Sequence, residues 1–212
     1  MPRIDDYRQA RELARKELSE REPGLIARFS GASIRTNDRG STSIVLNLLN
    51  KNLVISWPDM KFSYEESEGE VPIQQQVLVL HYLRGAVFSG GATITGEWIS
   101  FQDVPDGRFY MDAFVKRAKD PLIDAFGDNP SRMMDLASKL YDSVTLDYGD
   151  VSVIIKVLPH VPVALVLWEG DDEFSPDGNL LFDKSICGIL SAEDIAWLAG
   201  MVVYPLAGMV RK

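Results

Sequence analysis

The chain has one cysteine, Cys187, and two histidines, His81 and His160, among 212 residues. A single thiol excludes an internal disulfide, and it excludes any all-cysteine zinc or iron–sulfur site built from this chain alone. So few imidazoles leave little for a triad or a histidine-based metal site, and no HExxH, CxxC, GxSxG or dinucleotide fingerprint is present. Positive charge is also short: 22 Lys and Arg stand against 31 Asp and Glu, a net charge of -9 that repels a polyanion. Lys116, Arg117 and Lys119 sit close together but are surrounded by Asp112, Asp120 and Asp124, so nucleic acid is not an expected partner. The start MPRIDDYRQAREL lacks the apolar core of a secretory signal. No stretch approaches the roughly 18 apolar residues of a membrane span, and a cytoplasmic protein is expected.

What is present is an ordinary globular composition, 46% hydrophobic and 25% charged, enough to bury a core. From Asp6 to Glu20, Tyr7, Ala10, Leu13, Ala14 and Leu18 share a helical face, with Glu12 and Lys16, then Glu17 and Arg21, spaced for i,i+4 pairs; Pro23 and Gly24 end the helix. That wide charged face predicts a peripheral helix. STSIVLNLL, NLVISW and KFSYEE, parted by turn formers, read as an antiparallel meander. Glu70 and Pro72 open a helix with an Ile73, Val77, Leu80, Leu83 stripe, and Gly90–Gly91 marks a turn rather than a phosphate loop. A helical period runs from Arg108 to Lys119. Asn129 and Pro130 then cap another helix through Asp142.

The last third turns to strands: SVTLDYG, VSVIIKVL and VPVALVLW, with a hairpin signal at Gly149–Asp150. The last two are so apolar that they should be central and buried on both faces. Ser191 to Asp194 resembles a capping box opening a final helix through Ile195, Leu198, Ala199 and Val202. The expected class is α+β, an antiparallel meander plus a buried C-terminal set of strands, packed with about five helices. One compact domain over 1–212 is expected, with a subdivision near 68–72 left open.

The most informative stretch is WEGDDEFSPDGNLLFD at 168–183. Six carboxylates, Glu169, Asp171, Asp172, Glu173, Asp177 and Asp183, follow an uncharged strand, and no Lys or Arg intervenes before Lys184. Three readings stay open. The acids are a solvated turn shaped by Gly170 and Pro176, with Trp168, Phe174 and Phe182 packed beneath; or a docking face for a protein partner; or oxygen ligands for a divalent cation. The spacing is not that of a D-x-D-x-D-G loop ending in Glu. His81 and His160 read as structural residues, and Cys187 as a small buried hydrophobe.

LPHVPVALVLWEGDDEFSPDGNLLFD and CGILSAEDIAWLA resemble the C-terminal signature of an uncharacterised domain family of anaerobic bacteria and archaea. LHYLRGA, GEWISFQDVPDGRFYMDAF and FGDNPSRMMDLA fit the same family, so the resemblance spans roughly residues 70 to 205. It implies a shared pattern at Trp168, Glu169, Asp171, Glu173, Phe174, Phe182 and Asp183, and no established activity. Some relatives are fused to a cysteine-rich iron–sulfur module of the kind found with corrinoid proteins of one-carbon metabolism. This chain lacks that module and should carry no cofactor of its own. The family usually has a basic residue where His160 stands, which argues against shared proton chemistry there. The expected function is an accessory or binding module that docks a protein partner through Trp168, Glu169, Asp171, Asp172, Glu173, Asp177 and Asp183, with an iron–sulfur or corrinoid protein as the candidate that the resemblance brings in. The alternative is a divalent-metal-dependent enzyme using the same acids, helped by Arg108 or Tyr110; which metal, if any, is unknown.

Overall fold

Alternation of apolar and polar residues makes the first sheet. In β2 (Thr42–Leu48), Ile44, Leu46 and Leu48 are buried while their neighbours are not, and in β3 (Lys51–Trp57) Leu53 and Ile55 face the same side. The register pairs Ile44 with Ile55 and Leu46 with Leu53, so the apolar faces coincide. A two-residue turn joins the strands. Leu49 and Asn50 both take positive φ, 49° and 62°, the backbone that suits a tight hairpin. The structure, a computed structural model, describes residues 4–38, 40–91 and 93–210.

The chain divides into two compact units: residues 1–93 with 158–160 and 188–190, and the remainder. In the first unit, β1 (Ser33–Thr36), β2, β3 and β4 (Phe62–Tyr64) form an antiparallel sheet in sequence order. Its helices are α1 (Ile4–Ser19), α2 (Pro23–Ser30) and α3 (Ile73–Phe88). Pro23 does not simply stop α1, as the sequence suggested; it stands at the start of α2, where a missing N–H costs nothing. Gly31 ends α2 with φ of 67°, and a Cβ there would lie 2.7 Å from Pro159 Cβ. α3 buries Val79, Leu80, Tyr82 and Leu83. Tyr82 donates to the Ser30 carbonyl at 2.7 Å and accepts from the His160 backbone N–H at 3.2 Å, which uses the hydroxyl structurally. Only Ala14 and Leu18 of α1 are buried. Its charge pairs differ from the expected i,i+4 set: Glu12 meets Arg15 and Arg11, and Glu17 reaches across to Arg84 of α3, because α1 packs on α3.

The second unit holds a five-stranded sheet, ordered β5 (Trp98–Ser100), β9 (Asp177–Asp183), β8 (Val161–Trp168), β7 (Val151–Leu158), β6 (Val144–Thr145). β8 is central, and Val163 to Leu167 are all fully buried, as a strand covered on both faces must be. One face gathers Val163, Phe182 and the stacked pair Phe101 and Phe114, whose centroids are 4.4 Å apart. The other carries Ala164, Val166 and Leu181, with Trp98, Leu146, Ile154 and Trp168 packed against them.

Its helices are α4 (Met111–Phe114), a π-helical turn at Val115–Lys119, α5 (Asp120–Phe126), α6 (Pro130–Tyr141) and α7 (Ala192–Val210). α6 begins as expected, the Asn129 side chain accepting from Arg132 N–H. α7 begins on the reciprocal box in which Ser191 Oγ and Asp194 Oδ2 lie 2.7 Å apart. By length and composition α7 could cross a bilayer, contrary to the sequence estimate, yet half of it is buried inside the fold, as a core helix is. The architecture is α+β, with two antiparallel sheets.

Candidate functional site

The acidic stretch is two different things in the folded chain. Asp177 to Asp183 is strand β9, paired on one side with β8 and on the other with β5. Only Glu169 to Pro176 is a loop. β9 was not legible as a strand, and its register also fixes which aromatic covers which. Asp177 stands opposite Trp168 and Phe182 opposite Val163, so Phe182 lies at the far end of β9 and cannot cover the tryptophan. Phe174 does not cover it either, being 70% exposed. Trp168 is half-buried on the Ala164, Val166 and Leu181 cluster, and Tyr148 meets its ring edge-on at 6.3 Å.

The loop is held from within. Asp171 Oδ1 accepts from the backbone N–H groups of Glu173 and Phe174, each at 2.8 Å, and Asp171 N–H donates to the Phe174 carbonyl at 2.9 Å. Those two backbone donors hold the Asp171 carboxyl below the usual carboxylate range. Asp150 accepts from Glu169 N–H at 2.8 Å and pins the start of the loop. Pro176 closes the end. Its ring sits so near Gly170 and Gly127 that a Cβ on either would approach it to 2.7 and 3.0 Å.

Between this loop and the Gly127 to Asn129 turn with the first residues of α6 lies an open cleft of about 630 Å³, lined by Glu169, Asp171, Asp172, Glu173 and Phe174 on the loop side and by Asp128 on the other. Two of the sequence-predicted acids are elsewhere. Asp177, exposed at the start of β9, pairs with Lys119 at 3.1 Å. Asp183 is 1% exposed at the other end of the strand, roughly 20 Å away at a strand's rise. There it accepts from Thr95 N–H and Oγ1, Gly96 N–H, and Ser185 N–H and Oγ. Burial pushes its carboxyl up, but the donors of Ser185, Thr95 and Gly96 outweigh that and hold it below its ordinary value.

The remaining chemistry candidates fall outside the cleft. His160 lies in the β7–β8 turn. Burial raises the Cys187 thiol, which disfavours a thiolate. Tyr110 is raised chiefly by the neighbouring Glu193 charge, and neither it nor Arg108 lines the cleft. Among the described residues, no three His, Cys, Asp or Glu side chains converge at metal-binding spacing.

What sequence reasoning missed is the exposure of Phe174. No local spacing signals it, because an Asp that bonds the backbone two and three residues on braces a turn without deciding which side chain faces out. Comparison with curated proteins and with solved structures finds no match. Residues 22–204 match a family described as a domain of unknown function, DUF3786, and the chain belongs to that family.

Proposed function

We propose that the chain is a cytoplasmic accessory module that docks a protein partner through the 169–176 loop. The observation that supports this most is Phe174. A large ring, 70% exposed, stands on a loop braced by the Asp171 turn and by Pro176, so its exposure is not slack. Covering such a side chain gains about 1.5–3 kcal/mol, and bracing the loop beforehand lowers the ordering cost of docking. Glu169, Asp171, Asp172 and Glu173 line the same cleft as Phe174, and among the described residues none of the four forms a salt bridge, whereas Asp177 does. The complementary surface is an apolar pocket rimmed by Lys and Arg, steered by charge and sensitive to salt. The sequence resemblance suggests an iron–sulfur or corrinoid protein of an anaerobe's one-carbon metabolism as the bearer of that pocket, the cofactor belonging to the partner.

The test is affinity capture from the native host with the wild-type chain, with Phe174→Ala, and with Asp172→Lys combined with Glu173→Lys. One protein, identified by mass spectrometry and carrying an iron–sulfur or corrinoid chromophore, should be enriched by the wild type, lost with either variant and released by salt. Equal capture by all three chains would end the docking reading. The alternative, a divalent-metal enzyme built on the same acids, predicts that 1 mM Ca2+, Mg2+ or Mn2+ raises the melting temperature by about 5–10 °C for a site of roughly 10 μM affinity. Such a rise, abolished by Asp171→Asn with Glu173→Gln, would replace docking with metal binding.

A further inference from the structure

The first unit holds a cleft of its own, about 550 Å³, with the opposite electrostatic character. Arg11, Arg15 and Lys61 line it with one carboxylate, Asp59, which stands 4.0 Å from Lys61 Nζ, and Glu12 pairs with both arginines, so three cations meet two acids in a chain whose net charge is -9. Met60, 6% exposed, and the half-buried Phe62 give it an apolar wall. Arg11 and Arg15 are four residues apart on α1, which places both on one helical face. The other wall is fixed by Ser56: its N–H donates to the Lys61 carbonyl at 3.0 Å, its carbonyl accepts from Met60 N–H at 2.7 Å, and its hydroxyl accepts from Lys61 N–H at 3.1 Å.

The guanidinium donors are underused. Arg11 Nε is shut off from solvent and has no hydrogen-bond partner among the described residues. Its Nη1 reaches Gln76 Oε1 only at 3.3 Å, while Nη2 meets Glu12 at 3.1 Å. Arg15 Nη1 stands 3.5 Å from the Asp59 carbonyl, at the limit of a hydrogen bond, and its Nε is 3.6 Å from Glu12. Each guanidinium offers five N–H groups in a planar fork that matches a carboxylate or phosphate, and the long contacts to Gln76, the Asp59 carbonyl and Glu12 leave donors here for an acceptor, the enclosed Arg11 Nε not among them.

We propose that this cleft binds a small organic anion, a carboxylate or phosphate attached to an apolar body, with Arg11, Arg15 and Lys61 on the oxyanion and Met60 and Phe62 against the body. It is independent of the docking loop; its α1 side, Arg11 and Arg15, precedes the family stretch at 22–204, while Met60, Lys61 and Phe62 lie within it.

The experiment is calorimetric titration of the full chain at low salt with phenyl phosphate, benzoate, inorganic phosphate and acetate. Phenyl phosphate or benzoate should bind more tightly than its bare counterpart by about fivefold or more, since the ring buries apolar surface. Arg11→Met should weaken that binding by about tenfold, with Arg11→Lys intermediate because it keeps charge but not the fork. Arg8→Met, on the same helix but paired with Asp5, should leave it unchanged. If Arg11→Met lowers the melting temperature, Arg15→Met, whose side chain is more exposed, carries the comparison. Four results would each overturn the proposal: no heat from any probe up to about 10 mM, an affinity too weak for a site of this kind; equal affinity with and without the ring; equal loss in Arg8→Met; or full binding in Arg15→Met.

Discussion

Replacing Asp183 by Asn should destabilise the second unit more than any other single change among the six acids. The carboxylate is 1% exposed and accepts from five donors, of which three, the N–H groups of Thr95, Gly96 and Ser185, are backbone and cannot rotate to new partners. Asn keeps the shape but turns an NH2 toward some of those donors. An unpaired buried N–H costs about 1–3 kcal/mol, and water reaches part of the 93–97 segment, so a net loss of about 3 kcal/mol follows. For a chain of this size that is a fall of roughly 6–12 °C in melting temperature, read by circular dichroism at pH 7. Asp177→Asn is the control: it removes an exposed pair with Lys119, for which about 1 kcal/mol is an upper bound. A fall with Asp183→Asn no larger than the control's would refute the reasoning. The acid limb gives a second reading. Because the folded carboxyl is held below its unfolded value of about 3.9, its contribution is complete above that pH and fades as pH drops through the folded value. The gap between wild type and Asp183→Asn should therefore narrow below about pH 4.

Gly85→Ala would place a Cβ 1.9 Å from the Ile189 carbonyl oxygen, a backbone atom that cannot step aside, and should cost about 3 kcal/mol in urea unfolding, whereas Gly188→Ala, with nothing within 4 Å, should be near neutral. Phe182→Ala should cost about 3–5 kcal/mol and the half-buried Trp168→Ala less, about 2–3; the reverse order would contradict the register of β8 and β9. Leu18→Ala, at 2% exposed, should lose about 2–4 kcal/mol, while Leu13→Ala, at 58%, should stay within about 0.5 kcal/mol; equal effects would mean that α1 does not pack through Leu18.

The elements legible in the sequence were those whose signal is local. β2 and β3 alternate, α6 has its Asn129–Pro130 start, α7 its Ser191 box, and β8 an unbroken apolar run, and each of these is decided within a few residues. β9 is decided elsewhere. DGNLLFD has three apolar residues between acids and becomes a strand because β8 and β5 offer it partners on both sides, a pairing that no short window contains. β1 is exposed at all four positions and has no alternation to read, and Pro23 satisfies the rule for ending one helix as well as the rule for starting the next.

The same non-local pairing divides the acidic cluster. Six carboxylates contiguous in sequence become a structural anchor at Asp183, a surface pair at Asp177, and a loop in which Asp171 turns its carboxylate on its own backbone. What faces outward from that loop is Glu169, Asp172, Glu173 and one phenyl ring. A hard cation asks for about six converging oxygens. An acid rim around an exposed, braced aromatic ring asks instead for a basic surface with a pocket in it, which is why a single alanine at Phe174 tests the docking reading more directly than any change of charge.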